Sequence, residues 1–238
     1  MLTIDFTRLD LKKGDRILDI GCGEGRHTIR ACQSDGLVCA GADFGFSPLV
    51  ETRKKLEFHR ALNDLSCACI DLFCTDITCL PFDSASFDCV ICSEVLEHIR
   101  NDTKAISELA RIVKPGRILA VSVPRFWPEK ICWLLSDEYF NANMGHVRIY
   151  RKKELIKAIE SQGFSLYASH HAHSIHSPYW WLKCLAGPSR TDSVPVNIYH
   201  RLLVWDMMKK PWITGFIDRL FNPVLGKSLV LYFKKRNS

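Results

Sequence analysis

A glycine-rich turn directly after an apolar run is the first feature of this chain that could do chemistry. Residues 16–20 read Arg-Ile-Leu-Asp-Ile, and residues 21–25 read Gly-Cys-Gly-Glu-Gly. Glycine has no Cβ and adopts positive φ readily, so the backbone can bend sharply and approach a bound nucleoside. Free N–H groups at the start of the following helix favour negative charge. The spacing predicts a ligand-binding turn, although some glycine turns bind nothing.

An acidic residue ends the next apolar run. Residues 37–42 are apolar, and Asp43 follows them about eighteen residues beyond Gly25. A carboxylate at the tip of the strand beside a glycine turn can accept both hydrogen bonds from a ribose diol. The two features together indicate a ligand that contains a nucleoside.

Histidines are the candidate acid and base groups, because they titrate closest to neutral pH. His98 follows the fourth apolar run, and His146 follows the fifth in Gly-His-Val-Arg-Ile-Tyr. We predict His98 and His146 as the catalytic residues. The alternative is that they are surface or packing histidines.

Strands and helices must alternate to position these residues. Apolar runs predict strands near residues 16–20, 37–42, 67–74, 87–92, 117–123, 164–170 and 227–233. The segments between them predict helices near residues 25–34, 46–63, 101–113 and 152–162. Alternation of this kind is typical of an α/β fold with a parallel sheet covered on both faces, which binds its ligand at the carboxyl ends of the strands.

Several motifs follow one another in a fixed order. They are GCGEG at 21–25, D-x-x-x-LPF at 76–82, SFD-x-V at 86–90, EVLEH at 94–98 and KPG at 114–116. With the acid after the second strand, this chain resembles the class I S-adenosylmethionine (SAM) dependent methyltransferases. It is most similar to their small-molecule group, which includes the ubiquinone and menaquinone methyltransferases. The resemblance is dense over residues 14 to about 125 and thin beyond.

The resemblance implies the fold and the cofactor. The fold is Rossmann-like, with a seven-stranded sheet of order 3-2-1-4-5-7-6 whose last strand is antiparallel. SAM is the implied cofactor, and its methionine, ribose and adenine parts contact the ends of the first four strands. The implied cofactor-binding residues are Asp19, Gly21, Cys22, Gly23, Gly25, Asp43, Phe44, Asp76, Ile77, Ser93 and Glu94. For Asp43 and Asp76 the alternative is a turn or helix-cap carboxylate.

Length and composition predict a single methyltransferase domain over residues 1–238. Hydrophobic residues make up 47% and charged residues 24%, which is ordinary for a soluble globular protein. No apolar run reaches the roughly 20 residues that span a bilayer, and the first residues lack a signal-peptide pattern. We therefore expect a cytoplasmic protein, with or without peripheral membrane contact.

The eleven cysteines predict no metal site. Most of them lie in strand-like runs. Cys89 and Cys92 are three residues apart on one strand, so they should face opposite sides of the sheet. We expect reduced cysteines that act as small core residues.

Residues 171–226 separate the last two predicted strands, which a plain version of the fold joins by a short hairpin. This insert holds four of the six tryptophans, and with residues 125–148 it is the predicted helical lid over an apolar acceptor. Residues 201–238 contain eight Lys or Arg and two Asp or Glu. Such a basic and aromatic segment is either a solvated face or a contact with an anionic membrane. Nucleic acid is disfavoured, because the motif after the fourth strand differs from that of base methyltransferases.

The predicted function is methyl transfer from SAM to a small, apolar or lipid-like acceptor at oxygen or carbon. The reaction is an in-line displacement that depends mainly on alignment. A base is needed only when the acceptor keeps its proton at neutral pH. Two alternatives remain open, namely a SAM-binding protein without turnover and a nicotinamide-dependent oxidoreductase.

Overall fold

The computed structural model describes residues 2–141, 146–209 and 211–237. The strands are β1 (Arg16–Ile20), β2 (Val38–Asp43), β3 (Cys69–Cys74), β4 (Phe87–Ser93), β5 (Val113–Pro124), β6 (Phe164–Ala172) and β7 (Ser228–Lys235). The helices are α1 (Arg26–Cys32), α2 (Phe46–Ala61), α3 (Asp102–Ile112), α4 (Phe126–Leu135), α5 (Asp137–Asn141), α6 (Lys152–Glu160), α7 (His176–Ala186), α8 (Val194–Lys209) and α9 (Trp212–Leu225).

The seven strands form one sheet in the order β3-β2-β1-β4-β5-β7-β6. The first five strands pair in parallel, and β7 runs antiparallel to both β5 and β6. Parallel pairing sets the carboxyl ends of β1, β2, β3 and β4 along one edge of the sheet. The predicted strand order and the antiparallel last strand are confirmed.

The central strands are apolar because both faces of the sheet are covered. All seven residues of β4 are buried. Cys92 packs with Leu18 on one face, and Cys89 packs with Ile17 on the other, as the spacing predicted. The structure thus places the two cysteines in separate halves of the core.

All eleven cysteines are free. The expectation that they act as core residues is wrong for Cys69, Cys74 and Cys79, which are exposed. Cys69 and Cys74 lie in β3, and Cys79 lies in the turn beyond it. Since β3 is an edge strand, fewer elements cover it.

Helix α3 shows how the sequence sets an element's ends. The Asn101 side chain accepts a hydrogen bond from the Lys104 N–H and caps the first turn. The helix buries its apolar stripe against the sheet and ends at Ile112. Strand β5 begins at once, at Val113, which pairs with Phe87. We predicted this strand from residue 117, and it begins four residues earlier because Val113 already pairs with β4, with a register shift between Phe87 and Cys89.

The predicted helical insert is present between β6 and β7. It comprises α7, α8 and α9, and α7 packs against both α4 and α8. Strand β6 runs to Ala172, slightly beyond its predicted end. Of the second predicted lid segment, 125–148, residues 142–145 lie outside the described residues. No helix in the described part of the chain is both long and apolar enough to cross a membrane.

Candidate active site

A cleft of about 540 Å³ opens at the carboxyl ends of the parallel strands. Seven of the predicted site residues line it: Gly21, Asp43, Phe44, Asp76, Ile77, Glu94 and His98. Sequence reasoning missed several further lining residues, including Thr75, Thr78, Val95, Ile99, Arg100 and Asn101. These residues come directly after β3 and β4. Their position after a predicted strand is the feature of the sequence that could have identified them as site residues. The remaining predicted residues do not line the cleft. They are Asp19, Cys22, Gly23, Gly25, Ser93 and His146.

The glycine turn holds three left-handed residues, with φ of +66° at Gly21, +53° at Gly23 and +82° at Gly25. A Cβ on Gly21 would overlap the Val95 side chain, and one on Gly25 would lie 2.6 Å from Thr52 Cγ2. A Cβ on Gly23 would meet nothing within 4 Å. Packing and backbone conformation therefore both require glycine at 21 and 25, whereas only the conformation requires it at 23.

The Asp43 carboxylate connects the glycine turn to the cleft. Its Oδ2 accepts a hydrogen bond of 2.8 Å from the Gly23 N–H, and its Oδ1 accepts one of 2.8 Å from the Gly45 N–H. A carboxylate has about four acceptor positions, so both oxygens can still accept from a ligand. The alternative role as a turn carboxylate is therefore real, and the same side chain also lines the cleft.

Asp43→Ala should weaken binding of S-adenosylhomocysteine by about 1 to 3 kcal/mol. The variant loses charge-assisted hydrogen bonds to the ribose and also the bond that fixes Gly23. Calorimetric titration measures the change. Asp35→Ala, which removes an exposed carboxylate paired with Lys13, serves as the control. Equal affinities for the two variants would show that Asp43 does not bind the ligand.

Asp19 is 2% exposed and lies at the end of β1, below the turn. Thr28 Oγ1 donates a hydrogen bond of 2.7 Å to Asp19 Oδ2. Burial nevertheless raises the pKa of Asp19 to about 6. Asp19 does not line the cleft, so it could orient the amino group of the methionine part only from beneath the residues that form the cleft wall.

Asp19→Asn should raise the free energy of unfolding at pH 7 by up to about 3 kcal/mol. The folded pKa lies above the unfolded one, so ionising Asp19 destabilises the folded state. That cost is absent below the unfolded pKa, grows as pH rises and is complete above about 6. Urea unfolding of both proteins at pH 4 and pH 7 measures it, and the difference should be close to zero at pH 4. If Asp19→Asn changed the free energy of unfolding by the same amount at pH 4 and pH 7, the raised pKa of Asp19 would be contradicted.

The residues predicted to hold adenine surround the outer part of the cleft. Phe44 is 78% exposed, whereas Ile77 is 6% exposed, and both line it. Asp76 Oδ1 accepts hydrogen bonds of 2.8 Å and 2.9 Å from the Thr78 N–H and Oγ1. Asp76 thus has the turn role considered from the sequence and still faces the cleft.

Ser93 and Glu94 are joined through Ser122. Ser93 Oγ lies 2.8 Å from Ser122 Oγ, which donates to Glu94 Oε1 at 3.0 Å. Glu94 has φ of +58°, and burial raises the pKa of its carboxyl group. A left-handed non-glycine residue costs about 1 to 3 kcal/mol and is typical of functional sites.

Glu94 also borders a second pocket, of about 180 Å³. The insert and the start of β7 supply much of its wall. Its other lining residues are Thr3, Arg26, His173, His176, Trp180, Lys227 and Ser228. Lys227 Nζ lies 4.3 Å from the centroid of the Trp180 ring, so a cation and an aromatic face stand beside Glu94. No sequence motif had indicated Arg26 or Lys227.

The two predicted catalytic histidines lie together. The ring centroids of His98 and His146 are 4.8 Å apart. A hydrogen bond of 2.8 Å joins His146 Nδ1 to Glu129 Oε1. Burial raises the pKa of Glu129, but the His146 hydrogen bond and charge outweigh it and hold that pKa below its usual value. Sequence reasoning missed Glu129, because nothing near it in α4 forms a motif.

The sheet order, the antiparallel β7 and the glycine turn after β1 define the class of Rossmann-like methyltransferases. A sequence model of the methyltransferase domain family matches residues 3–169. The chain belongs to this family, which confirms the class predicted from the motifs. The class uses SAM as its methyl donor. The family assignment disfavours the nicotinamide-dependent alternative.

Individual relatives agree with this assignment. The chain is 29% identical over 160 residues to the ubiquinone biosynthesis O-methyltransferase of Coxiella burnetii, a match over 65% of each protein. It is 33% identical over 115 residues to the demethylmenaquinone methyltransferase of Corynebacterium urealyticum, over 48% of this chain and 44% of that protein. These matches span less than two thirds of either relative.

A solved structure extends the likeness in fold to the insert. A candidate methyltransferase from Bacillus halodurans superposes with a TM-score of 0.65 over 97% of this chain and 96% of that one. The two sequences are 16% identical, so this likeness concerns the fold alone.

Proposed function

We propose that this protein transfers a methyl group from SAM to a small, apolar or lipid-like acceptor, at an oxygen or a carbon atom. The observation that carries the proposal is the Asp43 carboxylate, which binds the glycine turn and lines the cleft. The family and the quinone methyltransferases among its relatives support the reaction type.

The residues around the cleft fit SAM. Asp43 has acceptor positions left for two ribose hydroxyls, and the exposed ring of Phe44 offers an apolar face to adenine. Asp76 offers a carboxylate to the adenine amino group. When bound, SAM supplies a methyl group on a positively charged sulfur. The chain's contribution is to fix that group in line with the acceptor.

We assign the acceptor side to His98 and His146. His98 lines the donor cleft, and His146 lies against it. The loop that carries His146 is held by a hydrogen bond of 2.8 Å from the Val147 N–H to the Glu97 carbonyl oxygen. This arrangement supports a catalytic role for both histidines on the acceptor's reacting group.

The insert is the proposed lid. His176 and Trp180 of α7 form part of the pocket beside Glu94, and the Trp181 indole donates to the Pro128 carbonyl oxygen in α4 at 3.1 Å. The insert and the segment after β5 therefore pack against each other, and the insert borders the pocket beside Glu94. Their aromatic side chains suit an apolar acceptor.

Thermal unfolding tests the donor site. S-adenosylhomocysteine should raise the melting temperature and NADH should not, because a ligand that binds only the folded state stabilises it by mass action. Transfer of isotopically labelled methyl groups to quinol and catechol acceptors then tests turnover. Stabilisation by S-adenosylhomocysteine without transfer to any acceptor in a cell extract would favour the SAM-binding protein without turnover.

We further propose that α9 contacts an anionic membrane. Apolar side chains along one side of α9 are all exposed, and we call them the α9 outer face. These residues are Trp212, Ile213, Phe216, Ile217, Leu220, Phe221 and Val224. Its polar side faces the protein, where Asp218 Oδ1 accepts a hydrogen bond of 2.8 Å from Ser174 Oγ. An ordinary surface helix turns its apolar side toward the protein core and its polar side toward solvent.

The exposed charges of α8 and α9 favour anionic lipid over a neutral partner. Arg201, Lys209 and Arg219 are exposed. The two acids of the same region, Asp206 and Asp218, are buried or bonded to the protein body. Each basic side chain near an anionic surface contributes about 1 kcal/mol.

The protein should float with anionic phospholipid vesicles at low salt and detach at high salt. Replacing Trp212, Phe216 and Leu220 with serine should reduce the bound fraction at least tenfold, measured by flotation. The matched control replaces Phe58, Leu62 and Leu134, which are equally exposed apolar residues away from α9. Equal loss in both triple variants, or no binding by the wild type at any salt concentration, would remove the membrane proposal.

A further inference from the structure

Three cysteine thiols converge in the part of the core that contains α1, apart from the donor cleft. We propose that Cys32, Cys39 and Cys67 bind one zinc ion as thiolates. This site goes beyond the proposed methyl transfer, and no step of that reaction passes through it. The sequence predicted no metal site, because cysteine spacing within one segment says nothing about cysteines that only the fold brings together.

The fold positions the three cysteines through three different elements. Cys32 is the last residue of α1, Cys39 lies in β2, and Cys67 comes two residues before β3. The Cys32 carbonyl oxygen accepts hydrogen bonds of 2.8 Å from the Ser66 N–H and 2.9 Å from the Cys67 N–H. Strand β2 is itself paired on both sides, with β1 and β3. The backbone at all three positions is therefore fixed by hydrogen bonds that do not involve a metal ion.

The sulfur atoms are already close to the arrangement that zinc requires. All three lie within 4.8 Å of one another. Zinc binds thiolate sulfur at about 2.3 Å, which places two sulfur ligands of a tetrahedral site roughly 3.8 Å apart. Side-chain rotations that move the sulfurs by about 1 Å or less bring them to that spacing. The required movement is small enough to leave the path of the backbone unchanged.

A small cavity connects the cluster to solvent. Cys32 and Cys39 are 0% and 1% exposed, whereas Cys67 is half-buried. Cys67 lines a cavity of about 230 Å³ whose wall also includes Arg60 and Asn63. An ion can therefore reach the three sulfurs from the side of Cys67. A water molecule from the same cavity can occupy the fourth position of a tetrahedral zinc ion.

The charges at this position favour zinc. Thiols bind a metal as thiolates, so three Zn–S bonds replace three S–H bonds, and the protons pass to solvent. The group of three thiolates and Zn²⁺ carries one net negative charge, and Arg60 on the wall of the adjoining cavity supplies a positive charge. Soft thiolate ligands select zinc over magnesium and calcium, which prefer oxygen ligands.

The protonation of the thiols predicts how zinc binding depends on pH. Burial raises the pKa of Cys67 to about 11. A hydrogen bond with Cys39 and burial raise the pKa of Cys32, against the opposing effect of the Arg60 charge. These two thiols are thus protonated at neutral pH when no ion is bound. Lowering the pH should weaken zinc binding, because protons compete with the ion for the sulfurs.

The ion would stabilise the donor half of the molecule. It would join the end of α1 to β2 and to the segment that leads into the edge strand β3. The glycine turn directly precedes α1, and Asp43 ends β2. Because the unfolded chain does not hold the three sulfurs together, zinc binding should raise the stability of the folded state.

Zinc binding by the reduced, metal-stripped chain tests the proposal. Equilibrium dialysis at pH 7 should show one more bound Zn²⁺ equivalent in the wild type than in Cys39→Ala or Cys67→Ser. Cys69→Ser is the matched control, because Cys69 is an exposed thiol on the wall of the same cavity and lies outside the cluster. It should bind as much Zn²⁺ as the wild type. Equal stoichiometry in all four proteins, or the same loss in Cys69→Ser as in Cys39→Ala, would overturn the proposal.

Cobalt reports which ligands hold the ion. Co²⁺ bound in place of zinc should give the charge-transfer absorption of thiolate ligands in the wild type. Cys39→Ala should lose this absorption, and Cys69→Ser should keep it. Bound Co²⁺ without such absorption in the wild type would place the ion on other ligands and contradict the proposal.

Thermal unfolding gives a readout that does not depend on counting ions. Zn²⁺ should raise the melting temperature of the wild type and of Cys69→Ser but not that of Cys39→Ala, and the gain should shrink as the pH falls. Circular dichroism verifies that each variant folds, and Cys39→Val replaces Cys39→Ala if the latter does not.

Affinity for S-adenosylhomocysteine is measured on the same samples. A chain that binds Zn²⁺ through the three cysteines but does not bind S-adenosylhomocysteine would support the metal site and contradict the proposed function. A chain that binds S-adenosylhomocysteine but gives equal Zn²⁺ stoichiometry in all variants would do the reverse.

Discussion

Gly21→Ala is expected to abolish binding of S-adenosylhomocysteine and to lower the free energy of unfolding by about 2 to 5 kcal/mol. The left-handed backbone at Gly21, with φ of +66°, costs an alanine about 1 to 2 kcal/mol. The new Cβ also overlaps the Val95 side chain, and overpacking of this kind typically costs about 1 to 3 kcal/mol more. Val95 lines the cleft, so its displacement changes the shape of the cleft wall that the ligand contacts.

Urea unfolding and calorimetric titration measure the two effects. Gly14→Ala is the matched control, because Gly14 has φ of +89° and nothing within 4 Å of an added Cβ. It should show the backbone cost alone and unchanged ligand affinity. Adding Val95→Ala to the Gly21 variant should recover the packing part. Similar stabilities for Gly14→Ala and Gly21→Ala would show that the turn can shift to accept a side chain.

His146→Ala should reduce methyl transfer about 10²-fold or more and leave the affinity for S-adenosylhomocysteine unchanged. The separation is expected because His146 contacts His98 and Glu129 but lies outside the lining of the donor cleft. Single-turnover transfer to an identified acceptor measures the rate. His98→Ala should cause a similar loss.

The control for this prediction is His59→Ala, whose turnover should equal that of the wild type. Wild-type turnover in both His98→Ala and His146→Ala would leave alignment alone to account for catalysis. A loss of donor affinity that matches the loss of rate would instead place these histidines in the donor site.

Elements with strong local patterns were predictable. Strand β4 is buried throughout because both of its faces are covered, and α3 has a side-chain cap and a clear apolar stripe. The strand order came from the resemblance, since periodicity does not determine which strands pair. The start of β5 was predicted four residues late, because the pairing of Val113 with Phe87 depends on a distant strand.

Parts of the site that depend on long-range packing were not predictable. Glu129 reaches His146 across seventeen residues, and Lys227 reaches Trp180 from the far end of the insert. The sequence indicated a basic and aromatic segment within the lid, but not that the apolar side of α9 faces outward. Its orientation is set by hydrogen bonds such as that of Asn222 Oδ1 with the Ser174 N–H.

The insert leaves and re-enters the sheet at one point. Ala172, at the end of β6, pairs directly with Ser228, at the start of β7. Everything between them is therefore attached to the molecule as a side branch whose two ends are neighbours, and the strands that bear Asp43 and the glycine turn lie on the other half of the sheet. Evolution can exchange such a branch as a cassette, so the part of the molecule that we propose as the lid can change while the half of the sheet that bears Asp43 stays the same.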